Sequence, residues 1–166
     1  MTAQRQEKKA RRPGIAIFAA GALSLLGCAD LAFGGPTERV VADRHTGLAI
    51  GGYDPVAYFT DARPVPGDPA IETMAQGVVW RFANPDNRVF FVQRPDVYAP
   101  RFGGYDPVDV ARGKPVAGNA QLWLVVGQRL YLFYRESNRD AFAADPARYL
   151  GVAEKNWPDL RDSLSE

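Results

Sequence analysis

The hexapeptide GGYDPV occupies residues 51–56 and recurs unchanged at residues 103–108. In each copy a proline follows the aspartate, which is Asp54 in the first copy and Asp106 in the second. Aspartate is favoured as an N-cap and proline at the first helical position, so the hexapeptide predicts the start of a short helix twice. The two glycines before the tyrosine permit a close backbone approach or a positive φ. The hexapeptide therefore predicts a structural corner that is used twice.

A shift of 51 residues, with one gap, aligns much more of the chain than the hexapeptide. Residues 79–98, VWRFANPDNRVFFVQRPDVY, match residues 130–149, LYLFYRESNRDAFAADPARY, at several phenylalanine, asparagine, arginine, proline and tyrosine positions. The alignment predicts two pseudo-repeated units, about 51–102 and 103–154. Since a unit of about 50 residues has a thin core, we expect the two units to pack together.

Each unit is predicted to contain a short helix, a β-hairpin and a capped helix. In the second unit the strands QLWLVV and RLYLFY flank residues 127–128, Gly-Gln, and a glycine in the first loop position is typical of a type II′ turn. Asn84 and Ser137 are the predicted N-caps of the helices that follow the hairpins. Pro95 and Pro146 are predicted to end those helices after about two turns, with a further turn beginning at Pro146.

The predicted fold class is α+β, in a single compact domain spanning residues 47–160. We expect residues 35–46 to be a linker and residues 161–166 to be a tail. The predicted core contains the aromatic residues Trp80, Phe82, Trp123, Tyr131 and Phe133.

Residues 1–34 read as a signal peptide with the start of a linker. A basic segment precedes the apolar run GIAIFAAGALSLLGC, and this order is typical of export signals. Cys28, the single cysteine, ends that run in LLGC, which resembles a lipobox and favours lipidation. The alternative is cleavage further on, within AFGG. We therefore expect a periplasmic protein or a membrane-anchored lipoprotein, with membrane contact only through the signal or the lipid.

Composition argues against two classes of function. Without residues 1–28 the chain carries slightly more acidic than basic residues, so no concentrated basic face for nucleic acid is expected. One histidine, His45, and three serines remain after the leader, and no nucleophile–base constellation is evident. We expect no catalytic residues.

The order of motifs in LYLFYRESNRDAFAADPARYL, within the frame GLAIGGYDPVAYF, WRFANPDNR, YAPRFGGY and NWPDL, resembles the YHS domain of exported bacterial proteins. The resemblance covers nearly all of residues 47–160. It implies a module that in many relatives binds metal through cysteines placed after the second strand and after the second GGY. Here those positions hold other residues, namely Ala83, Asn87, Tyr134, Asn138 and Asp106. The metal or redox role that the resemblance implies therefore lacks its thiolates.

Four residues of the two hexapeptides are the candidate ligand-binding residues: Tyr53, Asp54, Tyr105 and Asp106. The leading hypothesis is non-catalytic binding of a small ligand or an envelope protein in a groove between the units. The alternative is a metal-handling or redox accessory protein that uses oxygen ligands and His45. Asp54 and Asp106 face each other across a pseudo-twofold axis in that alternative, whereas the simpler interpretation makes them N-caps. No cofactor is predicted, and no residue is assigned as a metal ligand.

Overall fold

Two antiparallel hairpins form the sheets of this fold, described for residues 39–164 by a computed structural model. In chain order the elements are α1 (Ala57–Thr60), β1 (Asp68–Ala75), β2 (Val78–Phe82), α2 (Pro85–Gln93), α3 (Pro95–Tyr98), α4 (Pro107–Ala111), β3 (Asn119–Val126), β4 (Arg129–Phe133), α5 (Glu136–Ala144) and α6 (Pro146–Ser163). The 3₁₀ turns Ile50–Gly52 and Arg101–Gly104 precede α1 and α4. The mixed α+β class is confirmed. The predicted signal peptide and Cys28 lie outside the described residues.

The two hairpins carry the same register 51 residues apart. Thr73 pairs with Trp80 in the first, and Leu124 pairs with Tyr131 in the second. Each long strand also has an irregular stretch at its start, where the register shifts. The equal spacing is what the predicted repeat requires. The two pseudo-repeated units stay a prediction.

Both hairpin loops are type I′ turns, and the expected type II′ turn is wrong. The backbone φ angles are +57° at Gly127 and +56° at Gln128, and +55° at Gln76 and +79° at Gly77. A type II′ turn has a positive φ at its first residue only, whereas type I′ needs it at both. Types I′ and II′ both match the right-handed twist of the flanking strands, and the type I′ form here places a glutamine as well as a glycine in the left-handed region.

The strands contribute side chains to two hydrophobic clusters. Trp80 and Phe82 of β2 lie in the first cluster, which also contains Leu130 and Leu132 of β4. The opposite face of β4 contributes Tyr131 and Phe133 to the second cluster. Alternation along a strand explains this division, because successive side chains point to opposite faces. Four of the five predicted aromatic core residues are buried, and the fifth, Trp123, is partly buried against the first cluster.

Helix ends agree with the predictions at α2 and α4 and depart from them at α1, α5 and α6. Helix α1 begins at Ala57 with Val56 before it, so the predicted start with Asp54 as N-cap and Pro55 as the first helical residue is wrong. The Asn84 side chain caps α2, accepting a hydrogen bond from the Asn87 amide at 2.8 Å. Ser137 is not the cap of α5, because that helix already begins at Glu136 and Arg135 precedes it without a side-chain cap. The turn expected at Pro146 is the start of the 18-residue α6, which includes Pro158 and Trp157.

The chain segments on either side of the predicted domain also belong to it. Val40, in the predicted linker, is buried in the first cluster, and the Val41 amide donates to the Gly103 carbonyl at 2.7 Å. At the other end α6 continues to Ser163, where a tail was expected from residue 161. Apolar side chains explain both differences, because Val40 is buried in the first cluster and Leu164 packs against the second. No helix within residues 39–164 has the length and apolarity needed to cross a membrane.

Candidate functional site

The two aspartates of the repeated hexapeptide are completely buried, and each clasps a hairpin end to a helix start. One oxygen of Asp54 accepts from the Val56 and Ala57 amides, at 2.8 and 3.4 Å. Its other oxygen accepts from the Ala83 amide at 2.8 Å and from the Asn87 side-chain nitrogen at 2.6 Å. We call this arrangement the first carboxylate clasp. It satisfies a buried charge with four donors, as burial of a carboxylate requires.

The second carboxylate clasp is built the same way around Asp106. Its oxygens accept from the Val108 and Asp109 amides, from the Tyr134 amide and from the side-chain nitrogen of Asn138. The predicted capping role is confirmed for Asp106, whose side chain caps α4. Within residues 39–164 the two clasps share no hydrogen-bond partner.

Asp109 distinguishes the second clasp from the first. The Asn138 side-chain nitrogen donates to Asp106 and also to Asp109, at 2.8 and 2.9 Å. Asp109 is buried, and it pairs with Arg112 at 2.9 Å and with Arg135 at 3.4 Å. The corresponding position of the first clasp, three residues after Asp54, is Ala57.

The clasp partners include the positions at which the family resemblance implies cysteines. Backbone amides of residues 83 and 134 and side-chain amides of residues 87 and 138 all donate to the aspartates. Residue 106, the fifth such position, is the aspartate itself. Hydrogen-bond donors thus surround a carboxylate where the resemblance implies thiolate ligands.

The two predicted tyrosines lie in different environments. Tyr105 is buried in the second cluster, with its ring centroid 5.8 Å from that of Trp157. Tyr53 is half-buried, and its hydroxyl accepts from the Gln121 side chain at 2.8 Å. His45 is exposed in a turn whose amides donate to the Asp43 side chain. Residues 39–164 contain no group of three or more histidine, cysteine, aspartate or glutamate side chains placed to hold a metal ion.

An open groove of about 770 Å³ lies elsewhere on the molecule. It is bordered by the β1–β2 turn, the start of α3, the 3₁₀ turn Arg101–Gly104 and the C-terminal part of α6. The rings of Phe102 and Trp157 line it and meet edge to face, 5.8 Å apart. Three arginines and one aspartate supply its charged lining: Arg39, Arg101, Arg161 and Asp96. We call this cavity the arginine groove.

Arg101, which lines the arginine groove, interacts with the buried Tyr131. Burial raises the pKa of the Tyr131 hydroxyl, while the nearby Arg101 guanidinium acts in the opposite direction. Arg101 also pairs with Glu154 at 3.1 Å, and its guanidinium carbon lies 5.5 Å from the Phe102 ring centroid. Arg101 is therefore held over the aromatic lining by contacts on both sides.

Sequence reasoning missed the arginine groove because its lining comes from four separate stretches of the chain. Arg39 lies in the predicted linker and Arg161 in the predicted tail, so neither belonged to a motif. The RFGG sequence before the second hexapeptide carried the one local signal, an arginine beside an aromatic residue and two glycines.

Comparison with known proteins gives no match: no protein-family model, no curated protein and no solved structure resembles this chain.

Proposed function

We propose that this chain is an exported, non-catalytic binding protein that holds a small organic ligand in the arginine groove. One observation carries the proposal: the groove's volume of about 770 Å³, combined with an aromatic lining and a few charged side chains. Pockets for small molecules generally span about 300–1,000 Å³ and have this mixture of apolar walls and sparse polar groups. Among the described lining residues there is one carboxylate and no serine, cysteine or histidine. This composition favours binding.

The arginine groove replaces the hexapeptide residues as the proposed ligand site. Asp54 and Asp106 are buried and accept four hydrogen bonds each, so their oxygens are engaged within the fold. Tyr105 packs in the second cluster. Tyr53 remains partly accessible but lies outside the groove lining. We therefore keep the expectation of non-catalytic ligand binding and propose the groove lining, in place of the hexapeptide residues, as the ligand site.

The location of the protein is proposed from the leader. The basic, apolar and small-residue order of residues 1–34 supports export, and Cys28 supports a lipid anchor in the cell envelope. We retain the YHS-like assignment as part of this proposal, on the motifs quoted above.

Mass spectrometry under non-denaturing conditions tests the function. Protein purified without denaturation, then incubated with a metabolite extract of the producing cells and desalted, should carry one additional small molecule. Trp157→Leu, which removes the larger ring of the groove, should lose that mass. Trp123→Leu is the matched control, because Trp123 is also partly buried but packs on Tyr58, away from the groove. A ligand-free wild-type protein, or a ligand retained by Trp157→Leu, would contradict the proposal.

A further inference from the structure

Helix α2 exposes three neighbouring apolar side chains. Val89, Phe90 and Val92 are 46%, 45% and 59% exposed. Residues three or four apart on a helix lie side by side, and Gln93 is four residues after Val89 and three after Phe90. Phe91 is buried in the first cluster, on the other side of the helix. We call the exposed side, made of Val89, Phe90 and Val92, the α2 face.

The second half of the molecule shows that the helix does not need these apolar residues. Helix α5 occupies the position of α2, 51 residues later; it also has nine residues and also buries a phenylalanine, Phe142. At the three exposed positions it carries Asp140, Ala141 and Ala143. Contiguous exposed apolar side chains are typical of surfaces that contact a protein or a membrane. The α2 face is therefore suited to a contact that α5 does not make.

The α2 face lies near the residue that follows the leader. Helix α3 comes directly after α2, and Pro95 and Asp96 at its start line the same cavity as Arg39. Val92 is only three residues before Pro95. Cys28 is eleven positions before Arg39, so a lipid on Cys28 holds Arg39 within about 40 Å of the bilayer, the length of the extended chain. In the anchored protein the α2 face is thus within reach of the membrane surface.

The charged residues around the α2 face balance one another. Asp86 and Arg88 are exposed on α2 itself. Arg94 and Asp96 follow it, with the arginine Nε 3.9 Å from the aspartate Oδ1. Two basic and two acidic side chains give no net charge, so the face has no preference for anionic headgroups. Its apolar side chains fit the boundary between headgroups and acyl chains, where an interfacial helix buries valine and phenylalanine.

We propose that the α2 face is a peripheral membrane contact, with Val89, Phe90 and Val92 inserted at the lipid surface of the anchored protein. The inference rests on the proposed lipid anchor and is independent of the ligand in the arginine groove. Because the anchor already holds the domain at the bilayer, the contact forms within one molecule. Three side chains, which bind a bilayer only weakly in a free protein, are then enough to orient the domain.

A fluorescent label beside the α2 face tests the contact. The full mature protein, carrying Gln93→Cys labelled with a nitrobenzoxadiazole group, is bound to phosphatidylcholine vesicles whose acyl chains carry a nitroxide quencher. The label should be quenched, because residue 93 enters the lipid interface. Ala144→Cys is the matched control, since residue 144 is also exposed at the corresponding end of α5, and its label should keep its intensity. Cys28 is the single native cysteine, so a lipid on it leaves the introduced thiol alone to react.

Substitutions that give α2 the residues of α5 should remove the contact. In the Gln93→Cys protein, the combination of Val89→Asp, Phe90→Ala and Val92→Ala should abolish the quenching. The helix should persist, because these side chains are exposed and α5 carries the same residues, and circular dichroism checks this. Phe90→Ala alone should reduce the quenching with the smallest change to the helix. Val152→Asp is the matched control, since Val152 is 45% exposed on α6, and it should leave the quenching unchanged.

The outcomes separate this inference from the proposed function. Equal quenching at residues 93 and 144, or quenching that survives the triple substitution, would overturn the membrane contact. A dimer in vesicle-free solution that the triple substitution dissociates would assign the α2 face to a second copy and also overturn it. Either result leaves ligand binding intact, because Trp157→Leu tests the arginine groove separately. A mature protein that carries no lipid and binds no vesicles would contradict the proposed anchor together with this contact.

Discussion

Strands β2 and β4 occupy equivalent positions 51 residues apart, yet one is buried on a single face and the other on both. In β2, Trp80 and Phe82 are buried while Arg81, between them, is partly exposed and pairs with Glu72 at 2.6 Å. In β4, Leu132 stands at the position of Arg81 and is fully buried. The first cluster covers one face of β4 and the second cluster covers the other. Strand β2 therefore has one buried face and one partly exposed face, whereas strand β4 lies between the two clusters.

This comparison shows that similar local sequences can be used at different depths of a fold. The glycine-rich corner before each hairpin and the type I′ turn are local features, and they are alike in both halves. The carboxylate clasp is also alike in both halves, although it joins residues 28 to 33 positions apart. The differing features, Arg81 against Leu132 and Ala57 against Asp109, lie where the halves meet different surroundings. Paired substitutions at equivalent positions measure how much each half depends on those surroundings.

The largest difference is expected between Gly103→Ala and Gly51→Ala. Both glycines have positive φ, so each substitution costs about 1 kcal/mol in backbone strain. A Cβ at Gly103 also collides with the Arg39 carbonyl, whereas a Cβ at Gly51 meets one atom of Tyr53 at 3.9 Å. We expect losses in free energy of unfolding of about 4 kcal/mol or more at residue 103 and about 1 kcal/mol at residue 51. Urea denaturation measures both, and equal losses would show that segment 39–41 yields to the added group.

The two clasps should differ next. Asn138→Ala removes a donor from both Asp106 and Asp109, while Asn87→Ala removes one from Asp54 alone. A buried carboxylate that loses a donor is costly, so we expect destabilisation of about 3 kcal/mol for Asn138→Ala and about 2 kcal/mol for Asn87→Ala. Thermal unfolding monitored by circular dichroism would check the order. A larger effect at Asn87 would mean that Asp109 weakens the second clasp.

Tyr58 tests the contact between the halves. Its hydroxyl donates to the Ala120 carbonyl at 2.8 Å, and its ring meets Trp123 edge to face. Tyr58→Phe keeps the ring and deletes the donor, so we expect a loss of about 1 kcal/mol. Tyr53→Phe is the control, because that hydroxyl accepts from the exposed Gln121 side chain, and its loss should change stability little. Equal losses of stability for the two variants would show that the buried hydrogen bond of Tyr58 contributes no more than the exposed one of Tyr53.

The same tyrosine predicts how stability depends on alkaline pH. Burial raises the pKa of Tyr58 well above its usual value near 10, with smaller contributions from Tyr53 and Asp54. The unfolded chain therefore releases this proton first. Its stabilising contribution is complete below pH 10 and declines as the pH rises further, by up to about 1.4 kcal/mol per pH unit. Tyr58→Phe should reduce the slope of unfolding free energy above pH 10; an unchanged slope would assign it to other groups such as Tyr131.

The smallest effect is expected for Asp109→Ala, which gives the second clasp the alanine found in the first. Arg112 and Arg135 are about half exposed, so removing their carboxylate partner leaves no buried unpaired charge. Asn138 continues to donate to Asp106. We expect a change within about 1 kcal/mol in chemical denaturation. A loss above about 3 kcal/mol, typical of a broken buried ion pair, would show that the arginines depend on Asp109.

Local physical chemistry accounts for the features that the sequence predicted correctly. Caps at Asn84 and Asp106, the loop positions of both hairpins and the burial of Trp80 all follow from neighbouring residues. The sequence predictions were wrong where contacts between distant parts of the chain determine the structure. Val40 and α6 follow the surfaces they cover, and the arginine groove combines residues separated by more than 100 positions. No local sequence pattern indicates that residues so far apart in the chain lie together.

The carboxylate clasps also determine how this domain opens. Each joins the amides at a helix start to an amide directly after a strand, through one carboxylate. A fluctuation that frees the helix start must also release the end of its hairpin, so neither opens alone. The Val56 and Ala83 amides should then exchange with deuterium at a common rate, and the Val108 and Tyr134 amides at another. Each hexapeptide would thereby define one unit of local unfolding.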